Sequence, residues 1–163
     1  MFDLIFGPAS RLAAAEALLG ALHRLPSISD DRLVAIMEGS DRRQLLLLDV
    51  REEEEFMVSR IDGAVRIDPD TDAATFRERF ADGIEGKTVV ACCSIGERSA
   101  VLLDRIGSLC LEMGALEALN LRGGLFRWHA NGRPLVDDHG LTGRIHPFNG
   151  WWGMLLATDN SAL

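Results

Sequence analysis

Two apolar runs dominate this chain and limit what it can become. Residues 44–50 read QLLLLDV and residues 87–93 read KTVVACC. Neither alternates apolar with polar residues, as a strand with one wet face would. A short continuous run of this kind suits a strand covered on both faces, which is the habit of parallel sheets. Parallel strands need crossover connections, and helical patterns lie between these runs. The expectation is an α/β domain in three layers, with a mainly parallel central sheet flanked by helices.

The remaining elements fit that frame. Ser10 is placed to cap a helix over 11–23, with Leu12, Ala15, Leu19 and Leu22 at helical spacing, and Pro26 ends it. Ser29 opens a second helix that turns Leu33, Ile36 and Met37 inward. REEEEF after the first run reads as a short helix with its acids at the N-terminus, where the helix dipole favours them. AVRI at 64–67 is a short strand. Residues 72–81 form a helix with Phe76 and Phe80 one turn apart. Arg98 to Met113 carry a helical pattern closed by Gly114, ALNL at 118–121 is a strand, and Gly123-Gly124 turn into a last helix bearing Phe126 and Trp128. A helical extension over 1–25 thus precedes a domain over 26–136. The tail over 137–163, with Trp151-Trp152, is expected to cover an apolar surface of that domain.

Composition narrows the function. With 163 residues and 47% apolar content the chain suits one domain. A net charge of −8 argues against nucleic-acid binding. The three cysteines, Cys92, Cys93 and Cys110, make a poor disulfide framework, which points to a reducing compartment and a cytoplasmic protein. No His/Cys cluster has zinc-ligand spacing, and no apolar stretch is long enough to span a membrane. The apolar start resembles a signal peptide only superficially, because Asp3, Arg11 and Glu16 break the pattern.

The chemistry gathers at ACCSIGERSA, residues 91–100. Reactive sites in parallel sheets lie where strands end and loops lead into helices. Counted from Cys92 to Arg98, the spacing is C-x5-R-S, that of many cysteine phosphatases. Counted from Cys93, it is C-x4-R-S. Gly96 favours Cys93, since a loop folding round one sulfur needs positive φ three residues on. From Cys92 the fourth position is Ile95, which is β-branched and unsuited to it. Cys92 then packs in the strand as a small hydrophobe.

With LLLLDVREEEEF (44–56), SRIDGAVRI (59–67), KTVVACCSIGERSA (87–100) and ALNLRGG…W (118–128) in this order, the chain resembles a single-domain rhodanese. The resemblance covers about Ile28 to Pro134 and is specific in its order and spacing. It implies a rhodanese-like sulfurtransferase in which Cys93 is the nucleophile and carries a persulfide between a small-molecule or protein donor and a thiophilic acceptor. The family pattern C-x-x-G-x-R-[ST] falls on Cys93, Ser94, Ile95, Gly96, Glu97, Arg98 and Ser99, and its Asp-Val-Arg on Asp49, Val50 and Arg51. Glu55 is the acid four residues beyond. It implies no cofactor and no metal. Two departures stand out. Arg60-Ile61-Asp62-Gly63-Ala64 replaces the usual His-Ile-Pro-Gly-Ala, and the helix to Gly114 is about one turn longer than usual.

Roles follow as expectations. Backbone amides and a helix N-terminus around Cys93 favour the thiolate, the nucleophilic form. Arg98 either meets an anionic donor or braces the loop through Glu55 or Asp49. Arg51 and Glu55 are expected to pair at i,i+4 on a helix start, Asp49 to orient loops, and Ser99 either to satisfy early-helix amides or to touch substrate. Glu97 offsets Arg98, which disfavours doubly charged thiosulfate and favours a persulfide donor. A phosphatase is the weaker rival, because Ala91 stands where a histidine usually precedes the phosphatase cysteine. A non-enzymatic docking or redox-regulatory module is the other. The N-terminal helix and the C-terminal tail are candidates for a partner or dimer contact.

Overall fold

The computed structural model describes residues 25–147, with Ala13, Ala14, Ala17 and Leu18 as helical positions ahead of them. The expected cap at Ser10, the packing of residues 11–23 and the covering role of Trp151-Trp152 lie outside the described residues. At the centre lie the two apolar runs, as β2 (Leu45–Asp49) and β4 (Thr88–Cys92). They pair in parallel with Leu48 opposite Ala91 and Asp49 opposite Cys92. β5 (Glu117–Leu121) joins the other side of β4, and β1 (Ser27–Ile28) and β3 (Val65–Arg66) form the edges. The order is β1-β5-β4-β2-β3, parallel throughout.

Strand alternation sends successive side chains to opposite faces. On β4, Val89 and Ala91, followed by Cys93, pack with Phe76, Leu102, Leu103 and Ile106. Val90 and Cys92 pack on the other face with Ile28, Leu33, Leu125 and Trp128. The helices α3 (Ala73–Phe80) and α4 (Glu97–Glu112) cover the first face, and α1 (Asp30–Glu38) and α5 (Gly124–Ala130) the second. This is the expected three-layer α/β architecture. The adjacent cysteines therefore belong to different cores.

Local chemistry explains the element ends. Ser29 Oγ accepts from the Arg32 amide at 3.3 Å and Asp72 Oδ1 from the Thr75 amide at 2.7 Å, so each caps its helix. Phe76 and Phe80 stack at 4.8 Å between centroids. Helix α4 buries Leu102, Leu103, Ile106 and Leu109, each stabilising the fold by about 2 kcal/mol. It closes in a Schellman motif: Gly114 takes φ +93, the Ala115 amide donates to Cys110 O, and the Gly114 amide to Leu111 O.

Three elements had no signal strong enough to announce them. β1 is two residues long, too short for a period. A 3-10 turn, Ser40–Gln44, leads into β2. An antiparallel hairpin, β6 (Leu135–Asp137) and β7 (Gly140–Thr142), runs across the expected boundary at residue 136. It is tied back to the domain by reciprocal backbone bonds between Arg60 and Val136, both 2.9 Å, and Leu135 is buried in the second core.

Candidate active site

The site begins with the register of β2 and β4, which brings Asp49 beside Cys92 at the C-terminal edge of the sheet. The Asp49 carboxylate accepts from Arg51 Nε at 2.9 Å and Nη2 at 2.7 Å, and both side chains are buried. Arg51 Nη2 also donates to Ser59 O at 2.6 Å. The pair thus ties the end of β2 to the end of α2 (Glu53–Val58). Burial opposes the Arg51 charge, but Asp49's hydrogen bonds and charge outweigh it and the guanidinium is held more firmly protonated.

This corrects the expected Arg51–Glu55 pair. Helix α2 starts at Glu53, so Arg51 lies ahead of it and i,i+4 spacing does not bring the two side chains onto one helix face. Glu55 turns instead to the cysteine loop. Its Oε2 accepts from Arg98 Nη1 at 2.6 Å and from the Glu52 amide at 3.1 Å. Its Oε1 accepts from Arg98 Nη2 at 2.9 Å and Ser94 Oγ at 2.9 Å. Arg98 Nη2 reaches Ser94 Oγ as well, at 3.0 Å. Burial pushes the Glu55 carboxyl up, but the Arg98 hydrogen bonds and charge, with the Glu52 amide and Ser94 hydroxyl, carry the net shift downward. Arg98 braces the loop through Glu55, and its side chain also faces the Cys93 sulfur. Glu55 meets the Arg98 charge at close range. Glu97 lies exposed at the first position of α4.

Cys93 leaves β4 as the first residue of the loop and is 1% exposed. Its Sγ accepts from the Gly96 amide at 3.1 Å. Gly96 takes φ +100, a conformation that L side chains rarely adopt. Ile95 is buried within the loop. Ser99 Oγ lies 3.5 Å from Sγ and 2.7 Å from Asn120 Oδ1, so this hydroxyl faces the sulfur rather than early-helix amides.

Cys92, by contrast, lies in the second core. Burial, and next the Asp49 charge, push its thiol well above the ordinary range. Cys110 is pushed up to about 11 by burial in the first core.

Two residues of the site escaped the sequence reading. Gly124 opens α5 beneath the loop. The Leu125 amide donates to Cys93 O and the Phe126 amide to Ser94 O, both at 2.9 Å. In a trans peptide the C=O and N–H point opposite ways. Anchoring these carbonyls on α5 therefore turns the Ser94 and Ile95 amides away from α5. A Cβ on Gly124 would lie 2.3 Å from Cys93 O, which is why glycine stands there. The second glycine of the pair, one more than a turn needs, is a signal that could have found it. Asn120 donates through Nδ2 to Gly96 O at 2.9 Å. An asparagine inside a buried strand is the corresponding signal.

A parallel α/β domain whose central strand delivers a buried cysteine into a tight, glycine-bearing loop ahead of a helix defines a class of cysteine-loop domain. The chain belongs to the rhodanese-like domain family, whose model matches residues 29–131. Solved structures agree on the fold. Thiosulfate sulfurtransferase from Pseudomonas aeruginosa is 20% identical, with 92% of this chain and 26% of that one covered and a TM-score of 0.60. A rhodanese-related protein from Thermoplasma volcanium is 23% identical, covering 68% of this chain and 97% of its own, at 0.51. A rhodanese-like domain protein from Staphylococcus aureus is 24% identical, with coverage of 74% and 99%, also at 0.51. The comparison with curated proteins finds no match. Among the described residues no helix is long and apolar enough to cross a membrane, and no cluster of ligating side chains could hold a metal ion.

Proposed function

We propose that the protein is a sulfurtransferase that carries a sulfane sulfur on Cys93. The observation that supports this most directly is the Gly96 amide at 3.1 Å from Cys93 Sγ, in a loop whose carbonyls are turned onto α5. Donors fixed in this way stabilise negative charge on sulfur without reorganising during reaction. In the first step the Cys93 thiolate attacks the outer sulfur of the donor. A Cys93 S–S bond forms, and the donor's bond to that sulfur breaks, releasing its remainder with the electron pair. In the second step a thiophilic acceptor attacks the outer sulfur and the Cys93 thiolate leaves. No oxidant or reductant is consumed.

The preferred donor is a low-molecular-weight or protein persulfide rather than thiosulfate. Arg98 shares its charge with Glu55, and Glu97 adds a negative charge at the start of α4. A doubly charged donor therefore meets little local attraction. The chemistry needs a free thiol, which suits a reducing compartment such as the cytoplasm. Donor and acceptor are the partners in this reading, and residues 1–25 and 137–163 are the segments proposed for contact with a protein partner or a second copy.

The test uses Cys92→Ala, so that sulfur uptake can be assigned. After incubation with a sulfane donor, intact-mass and fragment spectra should show one added sulfur on Cys93, released by cyanide as thiocyanate. Cys93→Ser should show none. A chain that takes up no sulfur from thiosulfate or from glutathione persulfide would overturn the proposal and favour a docking or redox-regulatory module.

A further inference from the structure

Asn120 lies on β5, opposite Ala91 of β4, and its side chain reaches the loop beyond the strand. Its amide orientation follows from its neighbours. Gly96 O can only accept, so the group facing it at 2.9 Å is Nδ2, and Oδ1 faces Ser99 Oγ at 2.7 Å. Oδ1 can only accept, so the single Ser99 hydroxyl proton lies on that bond. The Ser99 oxygen, 3.5 Å from Cys93 Sγ, then presents lone pairs to the sulfur. Lone pairs suit a thiol, which has an S–H to donate. They repel a thiolate or a persulfide anion. To serve an anionic sulfur the hydroxyl must rotate toward Sγ and leave Asn120.

We propose that Asn120 is a positioning residue that holds the Ser99 hydroxyl off the sulfur while Cys93 is a thiol and yields it when the sulfur becomes anionic. The same side chain clamps the loop through Gly96 O. That carbonyl also accepts the Ala100 amide at 3.2 Å, so removing Asn120 does not orphan it. The inference deepens the sulfurtransferase reading and rests on it for its place in a reaction: the Ser99 hydroxyl becomes a donor at the moment negative charge develops on sulfur.

Alkylation of Cys93 by iodoacetamide tests it, because the reagent reads thiolate and needs no sulfur donor. The rate is measured from neutral pH to the alkaline plateau for the Cys92→Ala chain, alone and with Asn120→Leu, Ser99→Ala or both. Arg98, which acts on the sulfur from α4, is present in every variant and cancels in the cycle. At neutral pH, Asn120→Leu should raise the rate by about twofold more when Ser99 is present than in the Ser99→Ala background: one neutral hydrogen bond gives about fivefold more thiolate, offset in part by that thiolate's lower nucleophilicity. The gain should be lost or reversed at the plateau, where the amount of thiolate no longer limits the rate and the hydrogen-bonded sulfur is the weaker nucleophile. An equal effect in both backgrounds, or a gain of the same size at the plateau, would overturn the inference, since either would mean altered access or loop packing alone. Should Asn120→Leu fail to fold, Asn120→Ala enters the same cycle. Sulfur uptake without this coupling removes the role of Asn120 alone. Coupling without sulfur uptake removes the sulfurtransferase reading and leaves the hydroxyl relay standing.

Discussion

Arg98 and Glu55 meet fork to fork, Nη1 at 2.6 Å from Oε2 and Nη2 at 2.9 Å from Oε1, on a carboxylate that is 3% exposed. The pair joins the first turn of α4 to α2 across the mouth of the cysteine loop. Planar two-point pairing is the geometry arginine provides and lysine does not.

Arg98→Met should therefore destabilise the fold by about 3 kcal/mol, because it leaves a buried carboxylate without its counter-charge. Arg98→Lys should lose less, keeping charge but not the fork. Arg98→Met with Glu55→Leu should recover most of the loss. Urea unfolding midpoints measure all three. An Arg98→Met chain within about 0.5 kcal/mol of the parent would show that the pair is not holding the loop.

The same pair sets an acid dependence. The Glu55 carboxyl is lowered in the fold from its ordinary 4.5. Its contribution to stability is therefore complete above that ordinary value. It is lost as pH falls below it and through the depressed folded value. The parent should lose stability on acidification through the carboxylate range more steeply than Glu55→Gln does. Unfolding midpoints against pH compare the two slopes. Parallel curves would remove Glu55 as the source.

Gly124→Ala and Gly96→Ala should differ in kind. At Gly124 the added methyl meets backbone, Cys93 O at 2.3 Å and Ser94 O at 2.6 Å, and those carbonyls are hydrogen-bonded to α5. The loop has to move, and a shift of about 1 Å at a reacting atom lowers rate by about a hundredfold. At Gly96 the nearest atom is Asn120 Nδ2 at 3.4 Å, so the substitution carries mainly the strain of φ +100, about 1–3 kcal/mol. Gly63→Ala, with φ +78 and open space around it, is the reference for positive φ alone. Sulfur-transfer rates beside unfolding midpoints should rank Gly124→Ala as the most damaging to activity. A Gly124→Ala chain as active as Gly63→Ala would show that α5 does not shape the loop.

Donor preference tests the charge reading of the entrance. Steady-state kcat/KM should be at least about tenfold higher for glutathione persulfide than for thiosulfate. Glu97→Lys should raise the thiosulfate value, and added salt should erase the gain, as for any exposed charge. Much higher kcat/KM for thiosulfate in the parent would sink the assignment of a persulfide donor.

Much of this molecule is written locally. The apolar runs over 44–50 and 87–93, the caps at Ser29 and Asp72, the closing Gly114 and the positive φ at Gly96 depend on residues within a few positions of each other. Sequence alone therefore determined the parallel α/β sheet, the strand that ends at Cys92 and the loop that begins at Cys93. What it could not determine was partnership. Arg51 has an aspartate two residues before it and a glutamate four residues after it, and both spacings look reasonable on paper. Only the start of α2 at Glu53 decides for Asp49. Arg98 lies 43 residues beyond Glu55 in the chain and Asn120 lies 24 beyond Gly96. Those meetings exist because parallel pairing carries β2, β4 and β5 to a common edge. Tertiary structure also gave Gly124 its meaning, since its missing side chain matters only once α5 is seated against the carbonyls of Cys93 and Ser94.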